Sequence, residues 1–167
     1  MTPSKPKTGR TRRVLPVALA AAVCVGLLAM AGVRLFGVFD AARDRADAGD
    51  PDQVKRGQLV YAEYCATCHG EKLEGQPNWQ SRLPNGRLPA PPHDESGHTW
   101  HHPDDHLFEV TKYGLKNIAP PDYQTDMPAY EGVLTDRQIW DVLAYIKSTW
   151  PKDIQARQEK LNRGPSR

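Results

Sequence analysis

Hydrophobic and polar positions divide the chain into stretches of unlike pattern. From Val14 to Val33 twenty successive residues carry no charge. At about 1.5 Å of rise per residue, a helix of that length spans the roughly 30 Å hydrocarbon layer of a bilayer. Residues 40–49 then mix both charge signs and read as a linker, 37–50 in all. A helix start comes next, with Asp50 as N-cap, Pro51 at the first helical position and Gln53 three residues after the cap. This helix is predicted to run through Cys68, with Val54, Gly57, Tyr61, Tyr64, Cys65 and Cys68 on one stripe, so that both cysteines project from its buried face. Residues 70–102 show no sustained period and are rich in Pro and Gly, a loop length that makes sense if the chain wraps a large non-protein group. A short helix is predicted over 103–113, packing through Leu107, Phe108 and Val110 and ended by Gly114. The last long helix opens on a Thr135/Gln138 capping box, carries the stripe Ile139, Val142, Leu143, Ile146 and Trp150, and ends at Pro151. Residues 152–167 read as a polar tail, in part helical. No alternating apolar run survives inspection, so the fold class is all-α, with one domain over 51–151.

Charge changes the picture at the N-terminus. The chain has 22 Lys and Arg against 20 Asp and Glu, but six of the basic residues and none of the acidic ones lie in the first 39 positions. The remainder holds 16 basic and 20 acidic residues, about −4, so the positive balance is a property of a targeting segment and does not indicate nucleic acid. The basic N-terminus 1–13 stays cytoplasmic, and the domain beyond the apolar run crosses to the outer face of the membrane. Segment 14–36 fits two readings. One is an uncleaved transmembrane anchor with Arg34 at the far interface; the other is a signal peptide cut near Ala29-Met30-Ala31, which leaves a soluble periplasmic protein. The apolar run exceeds an ordinary signal core and favours the anchor.

An exported domain that holds only two cysteines, three residues apart, is not a disulfide scaffold. Cys24 lies inside the apolar run as a small hydrophobe. Cys65, Cys68 and His69 stand as C-x-x-C-H, and three chemistries use such a cysteine pair. A dithiol redox switch needs a βαβ setting that the pattern does not show. A zinc site needs two further ligands, and the next histidine, His93, is twenty-four residues on. Covalent attachment of haem c fits best: residues three and four apart share a helix face, so two thioethers form on one edge of the ring and His69 reaches the iron. A second axial ligand is expected for electron transfer. Met127, followed by Pro128, is the one methionine outside the targeting segment, with His93, His98, His101, His102 and His106 as the other candidates.

Residues 51–151 resemble a class I monohaem cytochrome c of the bacterial, membrane-anchored or periplasmic kind. The features that carry the likeness are Gly57 and Tyr61 ahead of Cys65-x-x-Cys68-His69, the Met127-Pro128 loop, and the final helix with "LAYIKSTWP". The resemblance implies a cytochrome c fold around one covalently bound haem, with His69 and Met127 as axial ligands. It implies that Gly57 lets the first and last helices cross closely, with Leu143 or Ile146 facing it. It also implies that a proline carbonyl in the middle loop holds His69. Pro89, Pro91 and Pro92 are the candidates, and the chain departs there from the family's P-x-L pattern. Leu107, Val60 and Ile146 are expected to shield the ring. The histidine-rich loop reads either as a polar loop whose imidazoles and Trp100 bond the haem propionates or the backbone, or as a second copper or zinc site from His98, His101 or His102, and His106.

The function these readings support is one-electron transfer on the outer face of a bacterial inner membrane, between a redox donor and acceptor; the −4 balance marks no clear docking face, since Lys72, Lys112 and Lys116 can still cluster at the haem edge. The alternatives are a haem subunit of a larger oxidoreductase, or a sensor or enzyme with an open iron position. Expressed with haem-attachment machinery, the chain is expected to keep its haem through a denaturing gel; a stain that washes out would remove the covalent reading.

Overall fold

A computed structural model describes residues 45–164. The basic N-terminus, the apolar segment 14–36 and linker positions 37–44 lie outside the described residues. No helix among the described residues is long and apolar enough to cross a membrane. The described chain forms helices α1 (Pro51–Tyr64), α2 (Ala66–His69), α3 (Asp104–Tyr113), α4 (Asp136–Thr149) and α5 (Lys152–Asn162). Single 3-10 turns stand at Thr99–His101 and Leu115–Asn117, and there is no strand among the described residues. The domain is all-helical.

Helix α1 starts where the sequence places it. The Asp50 carboxylate accepts the N–H groups of Asp52 and Gln53 at 2.9 and 3.2 Å, satisfying two of the donors that a helix start leaves open. Gln53 does not close a capping box. It reaches back instead, accepting from the Asp47 N–H at 2.8 Å and donating to the Arg45 carbonyl at 3.0 Å. Ala46 is thereby buried, 4 % exposed, and the end of the expected linker is stitched to the domain.

The helix does not continue to Cys68. It stops at Tyr64, Cys65 swings to φ −115°, and α2 restarts as one turn. In an unbroken helix the Tyr64 carbonyl would receive the Cys68 N–H. Here the Tyr130 hydroxyl takes that carbonyl at 2.7 Å, and the Cys68 N–H turns to the Cys65 carbonyl at 3.1 Å. A side chain inserted into the hydrogen-bond ladder breaks it. One consequence is that the two cysteines are not equally buried: Cys65 is half-buried and Cys68 exposed.

Helix α4 carries both halves of its capping box, Thr135 N–H to Gln138 Oε1 at 2.9 Å and the Gln138 N–H to Thr135 Oγ1 at 3.3 Å. All five residues of its expected stripe are buried. It packs along α1, and Gly57 is the reason the two backbones meet: a Cβ there would run into the Asp141 carbonyl and the Tyr145 side chain. Asp141 and Tyr145 thus face Gly57, rather than Leu143 or Ile146, which line a cavity on another face of α4. Arg56 grips Asp141 with two bonds of 2.8 and 2.9 Å beside this contact.

Past Pro151 the chain folds back as α5. Gln158 is fully buried and donates to the His102 carbonyl at 3.1 Å and to Asp104 at 2.6 Å. Pro103 has no side chain that can cap α3, and Asn162 supplies the cap from α5 by accepting the Asp104 N–H at 2.8 Å. Lys147, also buried, meets Asp104 at 2.5 Å and the Ala46 carbonyl at 3.0 Å.

Gly57→Ala is expected to lower the unfolding free energy of the haem-loaded chain by roughly 1–3 kcal/mol, the usual cost of overpacking a close contact. Denaturant titration reads this; Leu59→Ala, at a nearby position 68 % exposed, is the control and should change it by less than about 0.5 kcal/mol.

Candidate functional site

The break after α1 sets where the cysteines and His69 point. Cys65, Cys68, His69 and Met127 all line one cavity of about 390 Å³. Its apolar walls come from the helices, with Leu107 and Val110 on α3 and Val142, Leu143 and Ile146 on α4. Val60, expected to shield the same space, is buried in the core without reaching the lining.

His69 is buried, and its Nδ1 lies 2.8 Å from the Pro91 carbonyl. A carbonyl can only accept, so Nδ1 carries the proton and Nε2 keeps its lone pair for a ligand. Burial lowers the proton affinity of His69 below the ordinary imidazole range, and the Pro91 bond partly opposes that. The ring is therefore neutral near pH 7, as a metal-binding imidazole must be. Of the three candidate prolines, Pro91 is the one that holds it.

Close backbone packing fixes Pro91. Gly75 sits at φ +69°, and a Cβ on it would strike the Pro91–Pro92 backbone. Its N–H donates to the His69 carbonyl at 2.8 Å. The His93 N–H donates to the Leu73 carbonyl at 2.7 Å, and Trp150 Nε1 donates to the His93 carbonyl at 2.8 Å. The His93 ring stacks on His69, centroids 4.0 Å apart at 26°. Its Nδ1 pairs with Thr99 Oγ1 at 2.8 Å. Burial, with His69 and His98 near, pushes its proton affinity far down, so it is a neutral aromatic plate. The only sign of this role in the chain itself is a histidine standing where P-x-L would have a leucine.

Met127 arrives from the loop before α4. It is half-buried, with its N–H donating to Thr125 Oγ1 at 3.0 Å, and Pro128 lines the cavity beside it. Among the five loop histidines, His93, His98, His102 and His106 line the cavity. His101 and Trp100 stack on each other at 3.7 Å and lie outside the lining, and Trp100 Nε1 donates to the Glu95 carbonyl at 3.3 Å. Of the two partners the sequence suggests for Trp100, propionate or backbone, the indole takes the backbone.

The geometry separates the three cysteine chemistries. Burial pushes the Cys65 thiol up to about 12, the opposite of the lowered value a dithiol switch uses. Among the described residues no set of three or more His, Cys, Asp or Glu side chains is arranged to hold a metal ion, so the pair has no partners to complete a zinc site. A haem needs a large apolar slot, thiols on one edge and a neutral imidazole with a free nitrogen, and the cavity holds this donor set.

No curated protein and no solved structure matches the chain at a significant level. The family model described as Cytochrome c matches residues 54–150. That span covers more than half of the chain and includes C-x-x-C-H, the Pro91 loop, Met127 and α4, and it makes this protein a member of the cytochrome c family, a haem c protein with a role in electron transfer.

Proposed function

We propose that the chain is a class I monohaem cytochrome c that carries single electrons, with Cys65 and Cys68 as the thioether anchors and His69 and Met127 as the axial ligands. The observation that carries this reading is the convergence of all four side chains on one apolar cavity, with Nε2 of His69 left unprotonated. Bound haem supplies an iron that alternates between ferrous and ferric states.

The protein's own groups do the rest. Pro91 sets the His69 tautomer and ring angle, as the outer partner of a metal-bound imidazole usually does. His93 lies beside His69 in a near-parallel stack, so it belongs to the His69 wall, and Met127 rather than His93 would be the second residue to hold the iron. Met127 comes from a different loop and offers a soft thioether, which favours the ferrous state. The α3 and α4 side chains exclude water, and low local dielectric acts in the same direction. With His69 and Met127 both holding the iron, the site would exchange electrons and leave no iron position for a substrate.

Segment 14–36 anchors this domain to the outer face of a bacterial inner membrane, where donor and acceptor proteins meet it. Lys72 and Lys116 are exposed and suited to docking, whereas Lys112 is engaged with Asp136 at 2.7 Å.

Met127→Ala is expected to abolish the weak near-infrared sulfur–iron absorption of the oxidised protein and to lower its midpoint potential, with haem still covalently bound. A wild-type protein without that band, or a variant that keeps it, would overturn the ligand assignment.

A further inference from the structure

Among the described residues, the lining of the cavity contains no lysine and no arginine. Its only groups able to carry positive charge are five imidazoles, and two of these are committed. His69 is bonded to Pro91 and His93 to Thr99. The other three, His98, His102 and His106, are spaced four residues apart and make no ring hydrogen bond among the described residues. They form a row. His102 stacks on His106 with centroids at 4.7 Å, His98 meets His102 edge-on at 5.7 Å, and Trp79 lies flat on His98 at 5.5 Å and 5°. His98 is exposed and the other two are half-buried, so the row stands at the mouth of the cavity.

The row is held from behind. Gln158 on α5 ties the His102 carbonyl to Asp104, and Asp104 is ion-paired with the buried Lys147. The backbone that carries His102 is fixed in this way, so less freedom is lost when its ring binds a ligand. Haem c brings two carboxylates on one edge of an otherwise apolar ring. Buried or half-buried carboxylates need hydrogen-bond donors or positive charge, and this cavity offers the charge in one place only.

Building on the haem reading above, we propose that His98, His102 and His106 form the carboxylate-binding edge of the cavity, taking the two propionates of haem and coupling the iron's potential to the protonation of the row. When the row is protonated it offsets the carboxylate charge, and when it is neutral that charge favours the ferric state. Reduction adds one electron from the redox partner to the iron and draws part of a proton from water onto the row. Burial and, behind it, the neighbouring histidines hold His98 and His102 below the ordinary imidazole range; bound carboxylates oppose that. Other titratable groups near the row include His93 from the preceding loop, His101 within the segment, Asp105 beside His106 in the chain and Tyr123 in the lining. Asp104 is occupied by Lys147, and Asp126, elsewhere in the lining, by Arg87.

The test uses the full-length haem-loaded protein, titrated by redox potentiometry from about pH 5 to pH 9, the range over which imidazoles change charge. The wild-type midpoint is expected to fall as pH rises. The H98Q/H102Q/H106Q variant should lose that fall, while H101Q keeps it. A triple variant whose midpoint follows pH as the wild type's does would overturn the proposal. If the triple variant fails to load haem, H98Q carries the test, since the exposed His98 is removed without disturbing the core: a reduced slope supports the edge and an unchanged slope overturns it. The near-infrared band, recorded on the same samples, reports Met127 separately. Its absence from the wild type defeats the axial assignment while the slope still judges the histidine row.

Discussion

The hydrogen bond from His69 Nδ1 to the Pro91 carbonyl is the constraint on which the rest of the site depends. It ties the cysteine-bearing turn to a loop twenty-two residues away and decides which ring nitrogen is free. Helix α2 alone does not set this, since one turn leaves the imidazole free to rotate about its own bonds. The loop alone does not either, because residues 70–98 form no regular element. Each is fixed by the other. The loop gains its shape from glycine placed against proline and from backbone groups answered outside any helix, including the Trp150 indole at the end of α4. Disturbing Trp150 or Gly75 would therefore act on the His69 geometry without replacing His69.

The cavity has two kinds of wall. Helices α3 and α4 give it apolar side chains at helical spacing, and this side comes from ordinary core packing. The mouth is built differently, from histidines on a segment that no long helix stabilises. What holds that segment is polar and buried: Lys147, Asp104, Gln158 and Asn162 satisfy one another across α3, α4 and α5. Removing one partner of a buried ion pair typically costs about 3–5 kcal/mol, because the other charge is left uncompensated. Such a network is a poor source of net stability but a good source of fixed geometry, and it holds the histidine row. The same reasoning explains why α5, outside the apolar core, has a fully buried glutamine.

Much of this is readable in the sequence because it is local. Asp50-Pro51 and Thr135/Gln138 mark the starts of α1 and α4, Gly114 the end of α3, and C-x-x-C-H carries its chemistry within five residues. The features that are not legible depend on contacts between distant segments. The break at Cys65 comes from a hydroxyl sixty-six residues away, so no helical periodicity can place it. The choice of Pro91 over Pro89 and Pro92 depends on where Gly75 lets the loop approach. Leu143 and Ile146 are apolar, which points to the contact with Gly57, yet their face of α4 turns to the cavity and Asp141 and Tyr145 take that contact. Ala46 has charged neighbours, which points to solvent, yet Gln53 and Lys147 draw its backbone into the core.

The histidine row shows why composition near a cofactor carries meaning that a count of charges does not. An arginine at the mouth would stay charged at every accessible pH and would hold the carboxylates at one electrostatic state. Imidazoles answer to pH, and they answer to one another when they stack 4.7 Å apart. His102 stands between the other two rings, and a positive charge on either neighbour opposes one on it. Trp79 and the buried network behind the row limit how far the rings can move as their charge changes. A cavity lining whose positive charge is confined to such a row therefore carries an adjustable field at its polar edge and a fixed ring geometry at His69. Those two properties reside in different segments, and each can be altered without rebuilding the other.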